Sequence, residues 1–408
     1  MRALQCQWPT TSFDSGALEK QHGLLVLSAK KTVTATMVQS GPKWCVCQEA
    51  YPRVIAALHC DSLIRMDYSE FLRRLPKAEL HVHYVGAMRS RTLIELARKH
   101  HITLPTEDPD KLYDYDNLFD FLRIFDLAGR SLVDRDDFSR VAYETIEDGV
   151  QLGNLKYREM FFNPTSHRME GIAYRTVVDG IIEGLKQAER NFGVKCNLIA
   201  AIHRGHTPAA AREMVEQVVT ESRDEVIGIG ADAATPDGRE GLDLFADAYA
   251  YAKRHGLRVS THCAELPGTV ANFSYAHDIL KCDRIDHGYR VLDDPQALDR
   301  ARDEGVWFTC APTSTARCYG WSDLSQHPIR RMVEGGLRVT LNSDDPTMFG
   351  TDIGREFVVA CTAMQFPPDT AVELALNGVD ASWLDEGERR SLRQTFEREI
   401  AALRTQLV

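Results

Sequence analysis

Eight short runs rich in β-branched and apolar residues recur along this chain, and most are separated by segments whose apolar residues repeat every three or four positions. The runs are AELHVHYV (78–85), LKYREMFF (155–162), KCNLIAAI (195–202), VIGIGADA (226–233), LRVSTHCAE (257–265), RIDHGYRV (284–291), VWFTCAPTS (306–314) and LRVTLNSDD (337–345). Between them, 173–190, 209–223 and 242–256 carry the helical period. Near-continuous apolar strands alternating with helices belong to a parallel sheet covered on both faces. Eight of them predict a (β/α)8 barrel, with a doubly wound open sheet as the alternative. Two further periodic segments, 365–382 and 385–407, predict extra helices after the last strand.

Residues 1–65 differ from the rest of the chain. They show mixed polarity, no sustained period and four of the ten cysteines. They read as a poorly ordered or accessory extension, an upstream translation start being one account and an oligomerisation arm another. Residues 66–408 read as one domain, since barrels of this length occur as single units.

Composition narrows the function. The net charge of −11 disfavours a protein that grips nucleic acid through phosphates. Nothing approaches the roughly 20 apolar residues that span a bilayer, and the N-terminus lacks the apolar core of a secretory signal. The cysteines form no C-x-x-C pair, so reduced thiols in a cytoplasmic protein are expected.

Barrel chemistry sits at the carboxyl ends of the strands, and polar residues collect there. His81 and His83 end the first run, Asp232 lies in the fourth, and His262 and Glu265 close the fifth. Asp286 and His287 lie in the sixth, the seventh leads into PTS at 312–314, and Asp344 and Asp345 close the eighth. Side chains at i and i+2 of a strand share a face, so His81 and His83 can grip one ion. A lone histidine or aspartate at a strand end is more often a cap or turn residue; the set together is not. Three imidazoles and the Asp344 carboxylate make a nitrogen-and-oxygen site suited to one Zn²⁺ per chain. Glu265 is placed as a proton donor, and His287 as a residue that orients or deprotonates a metal-held water.

At these residues the chain resembles the adenosine deaminase family of metal-dependent (β/α)8 aminohydrolases, over about residues 73–363. LPKAELHVH (75–83), RIDHGYRVLDDP (284–295) and above all NSDDPTMFGT (342–351) carry the resemblance. It implies hydrolytic deamination of a 6-aminopurine nucleoside, with His81, His83, His262 and Asp344 holding zinc. Glu265 would protonate N1 of the purine, His287 and Asp344 would steer the attacking water to C6, and Asp345 would bond N7. The segment LFDFLRIF (118–125) is similar to the helix that covers the base, with Leu118, Phe121 and Leu122 facing it; an apolar stripe at this spacing is more often core.

Four departures from the family pattern bear on substrate. HCAE stands for H-A-G-E, Thr235 replaces a glycine whose amide would face the ring, and Phe161 replaces an arginine. Val85 stands where adenosine deaminases usually have Asp and adenine deaminases Glu. H-x-H-x-V-G resembles members acting on 5′-modified nucleosides, notably aminodeoxyfutalosine deaminases, so a purine altered at 5′ or N6 is expected. Two other readings stay open: a catalytically silent purine- or partner-binding relative, and metal-assisted hydrolysis of another amide or amidine. The P-C-x-x-C of cytidine-deaminase-type zinc sites is absent.

Overall fold

The computed structural model describes residues 65–115, 118–318 and 320–408, together with the backbone of four strands nearer the N-terminus. By contacts the chain divides into two units, Met1–Arg65 and Met66–Val408. In the first, Glu19–Gln21, Leu24–Ala29, Val33–Ser40 and Lys43–Val46 form an antiparallel meander in chain order. These strands were not anticipated, although VTATMV within them has the β-branched content strands favour.

The second unit is the expected barrel. Its strands are β1 (Lys77–Glu79), β2 (Leu155–Phe162), β3 (Lys195–His203), β4 (Val226–Asp232), β5 (Arg258–Cys263), β6 (Arg284–His287), β7 (Trp307–Cys310) and β8 (Arg338–Leu341). All neighbours pair in parallel and in chain order, which requires a helical crossover after each strand. The open-sheet alternative fails because the ends meet. Beyond the last rungs of β1 and β8, Val82 bridges Asp344, with His83 N donating to Asp344 O at 2.7 Å and Asp344 N donating to His81 O at 3.2 Å.

Helices cover the outer face. Arg135–Gly153 opens with an Asp134–Asp137 capping box and packs along Tyr174–Phe192, where Gly184 lets the two backbones approach: a Cβ there would lie 2.0 Å from the Ser139 carbonyl oxygen. After β8 come Ile353–Ala363, Pro368–Asp380 and Glu386–Arg404, the last two being the expected closing helices. Within the described residues no helix is long and apolar enough to cross a membrane.

Candidate active site

Four of the strand ends place their functional side chains through unusual backbone. Asp344 (φ 62°), His287 (φ 67°), Ala264 (φ 51°) and Ala233 (φ 57°) all sit in the left-handed region. Non-glycine residues visit that region rarely, and such strain concentrates at functional sites. At Asp344 it turns the carboxylate inward just as the chain leaves β8.

The four predicted metal ligands converge. Oδ1 of Asp344 lies 3.3 Å from His81 Nε2 and 3.2 Å from His83 Nε2, and the Nε2 atoms of His83 and His262 are 3.2 Å apart. A tetrahedral ion with bonds of about 2.05 Å sets its ligands about 3.3 Å from one another. All four side chains are buried, and a ligand atom from each lies within 4.8 Å of the others. His81 Nε2 has no hydrogen-bond partner although it is enclosed. A buried polar atom with nothing to bond is costly, and a cation here would remove that cost. The donor set therefore fits zinc.

A polar group stands behind each imidazole, the arrangement that orients metal-binding histidines, though only His81 is hydrogen-bonded there. His81 Nδ1 lies 3.1 Å from Thr309 Oγ1, and Thr309 in turn donates to Asp286 at 2.7 Å. Asp286 also stands 3.6 Å from His262 Nδ1. Behind His83 Nδ1 is Asp232 at 3.5 Å, with Asn163 donating to both Asp232 oxygens. Ser314 Oγ donates to Asp344 Oδ2 at 2.6 Å, which leaves Oδ1 for the histidines. Thr309 and Asn163 were not singled out from sequence, and Ser314 only as the end of PTS with no role given, because uncharged residues at strand ends carry little signal until the fold sets a partner against them.

Electrostatics sorts the titratable groups. Burial, the negative Asp344 and the negative Glu240 push Glu265 well above the ordinary carboxylic range, so it holds a proton. Burial, then Asp344 beside it, does the same to Asp345. Asp344 itself stays ionised: burial opposes its charge, but His81 and His83 outweigh burial and hold its carboxyl well below the usual range. His262 and His287 are driven well below the ordinary histidine value, by burial first and by the His81 imidazole next. His83 is the exception. Burial works against its charge, yet the surrounding carboxylates, the ionised Asp344 among them, raise it above the ordinary histidine value while no metal is bound. Glu265 Oε1 and His287 Nε2 are 3.6 Å apart.

Glu265 sits on a loop held by a buried carboxylate. Glu240 accepts from the amides of Ala264, Glu265 and Leu266 at 3.0–3.3 Å and from Asn272 at 2.6 Å. The HCAE departure is thus absorbed: Ala264 takes the left-handed turn, and Cys263 is fully enclosed.

A cavity of about 160 Å³ lies over these groups, bounded by His83, His262, Glu265, His287, Asp344 and Asp345 below and by the helix Leu118–Arg130 above. Phe121 lines it and stacks on Phe349 at 4.8 Å between centroids; Phe125, one turn on, lines it as well. Leu122 stands at the mouth and is 43% exposed. The side chain of Leu118 lies outside the described residues. Phe161 packs beneath the histidine cluster, 5.2 Å from both His81 and His83 between ring centroids. Thr235 does not line this cavity: its amide donates to Arg239 O within its own loop, and Ala233 and Ala234 form that part of the wall. The cavity continues into an outer chamber of about 570 Å³, sharing with it Leu122, Phe125, Asn163, His203, Ala233, Ala234 and Leu266; Val85, Gly129, Thr235 and Pro236 line the outer one, with the charged Asp126, Arg130 and Glu170.

A closed eight-stranded barrel with a three-histidine, one-aspartate cluster and a protonated glutamate at its carboxyl rim defines a hydrolase of the aminohydrolase kind. More narrowly, the chain belongs to the adenosine deaminase family, whose model matches residues 76–398. Among curated relatives, adenine deaminase of Caulobacter vibrioides is 34% identical over 82% of this chain and 96% of its own length. Adenine deaminase of Acinetobacter baylyi is 32% identical over 80% and 98%. Among solved structures, an amidohydrolase from Burkholderia ambifaria with bound zinc superposes with a TM-score of 0.77, 31% identity and coverage of 84% and 96%. Adenine deaminase from Arthrobacter aurescens gives 0.75, 29%, 80% and 99%.

Proposed function

We propose that the protein uses one zinc ion per chain to deaminate a 6-aminopurine nucleoside, adenosine or a relative modified at 5′ or N6, giving the 6-oxo product and ammonia. The observation that supports this most is the meeting of four ligand heads with Glu265, His287 and Asp345 under one cavity. His81, His83, His262 and Asp344 would hold the ion, which when bound acidifies a water to a pKa of about 7 and so supplies a nucleophile.

The remaining work falls to this chain's own groups. Glu265, protonated in its buried setting, gives that proton to ring N1, which draws electrons from C6 and opens it to attack. Neutral His287 takes a proton from the incoming water. Asp345 bonds N7, and since N7 only accepts, the proton Asp345 retains is what makes this contact attractive. The enclosing face of Phe121, Phe125 and Phe349 excludes bulk water from the charged cluster. The amino group takes the proton held by His287 and leaves C6 as ammonia, and the new C6 hydroxyl returns its proton to Glu265 as the 6-oxo group forms.

The outer chamber bears on substrate. Free adenine would fill the inner cavity and leave the chamber with solvent, whereas a nucleoside or larger substituent would bury the apolar wall containing Val85. The curated relatives named adenine deaminase favour the other reading, that the free base is the substrate. Ammonia release from adenine, adenosine, N6-methyladenosine and 5′-substituted adenosines, compared as kcat/KM on zinc-loaded protein, decides between them. A substituted nucleoside should lead. Adenine leading by tenfold or more would establish the free-base reading, and no turnover of any compound would overturn both.

A further inference from the structure

We propose that Glu79 and Asn342 are positioning residues of the zinc site, tying the segment that carries His81 and His83 to the one that carries Asp344. The inference rests on the proposed zinc site. Seven of the eight junctions in the barrel are ladders, and the eighth, between β1 and β8, has no rung within either strand among the described residues. That junction runs straight through the metal cluster, with two histidines on one side of it and the aspartate on the other. The spacing of the ligands across it therefore cannot be inherited from strand pairing below.

At the level of the ligands the Val82–Asp344 bridge joins the two segments through backbone; beneath it, side chains hold the seam. Leu80 N donates to Asn342 Oδ1 at 2.8 Å, and Asn342 Nδ2 is anchored on Thr340 Oγ1 at 3.0 Å. From the other side, Ser343 N donates to Glu79 Oε1 at 3.0 Å, and Ser343 Oγ donates to the same oxygen. Glu79 is fixed by Arg158, whose Nη2 lies 2.5 Å from Oε2 and whose Nη1 donates to Thr145 O at 2.6 Å. Arg284 Nη2 completes the hold on Leu80 by donating to its carbonyl oxygen at 3.0 Å. Glu79, Asn342, Ser343, Arg158 and Arg284 are all buried. The amides held, those of Leu80 and Ser343, immediately precede ligands His81 and Asp344. In a water-excluded site such bonds fix backbone position tightly, and groups that orient metal ligands are worth about 10- to 100-fold in affinity.

The test is zinc affinity, read by competition with a chromogenic chelator, alongside circular dichroism and the melting temperature of the zinc-free protein. Glu79→Ala and Asn342→Leu should each bind zinc about 10- to 100-fold more weakly than the parent, and Glu79→Gln, which keeps an acceptor for Ser343, should recover part of the loss. Ile181→Ala, a large-to-small change in the helix Tyr174–Phe192, controls for lost stability alone and should keep parental affinity. Affinities within about threefold of the parent in the folded seam variants would overturn the inference, as would an Ile181→Ala loss equal to theirs at equal melting temperature. If Glu79→Ala does not fold, Asn342→Leu and Glu79→Gln carry the comparison. A parent protein that binds no zinc would instead overturn the proposed function.

Discussion

The Nε2 atoms of His83 and His262, 179 residues apart in sequence, face each other at 3.2 Å inside the barrel mouth. Two imidazole nitrogens at that distance need a proton or a cation between them, and the Asp344 oxygen beside them favours a cation. Metal analysis should find one zinc per chain. Chelation should abolish turnover and lower the melting temperature, and zinc should restore both, because an ion that binds only the folded state stabilises it by mass action. A chelated, verifiably metal-free protein with full activity would refute this.

Glu265→Gln keeps the shape and removes the donated proton. It should retain zinc and lose turnover by about 10²- to 10⁴-fold, the usual worth of a positioned acid. The measurement pairs metal content with single-turnover ammonia release. Retained turnover would remove Glu265 from the mechanism, and lost zinc would make it a structural residue instead.

Gly86 is the space in which Asp345 sits. A Cβ on residue 86 would fall 1.8 Å from Asp345 Oδ1, so Gly86→Ala must displace that carboxyl. Zinc content should stay near one, while kcat/KM should drop to about that of Asp345→Ala. An active Gly86→Ala enzyme would show that Asp345 does not need its present position.

Val85 is buried and faces the outer chamber. Val85→Asp puts a polar head on an apolar wall, which should shift the ratio of kcat/KM for adenosine over a 5′-apolar analogue upward by at least about tenfold. The pair of substrates measured on both proteins gives the ratio directly; no change would detach Val85 from substrate choice.

Glu356 supplies a pH prediction. It is fully buried, accepting from Thr313 N and Thr351 Oγ1, and burial lifts its carboxyl to about 7 from an ordinary 4.5. Between these values the folded chain holds a proton that the unfolded chain has released. Its contribution is therefore complete below about pH 4.5 and fades as pH rises through 7, a change of up to about 3 kcal/mol. Glu356→Gln should flatten the stability-against-pH curve over that window in denaturant titrations. An unchanged slope would mean Glu356 titrates normally.

The eight barrel strands and the residues that converge at their carboxyl ends were legible in the sequence because both leave a local pattern. Alternation of eight apolar runs with helical segments admits few topologies, and His81 and His83 at i and i+2 share a face in any extended chain. Glu265 and His287 followed from their places at strand ends, and NSDDPTMFGT carried Asp344 and Asp345 with it. The strands within 19–46 were not legible, since their pairing lies outside any periodic frame.

Tertiary structure decided the rest. Whether Asp345 keeps a proton depends on Asp344 and on burial, and neither is written in the local chain. The same holds for Ser314 selecting one oxygen of Asp344, for the Thr235 amide turning into its own loop, and for Glu79 and Asn342 tying the first and last strands beneath the Val82–Asp344 bridge. Periodicity fixes which face a side chain occupies. Distance, dielectric and unpaired polar atoms exist only after strands far apart in the chain have been brought together.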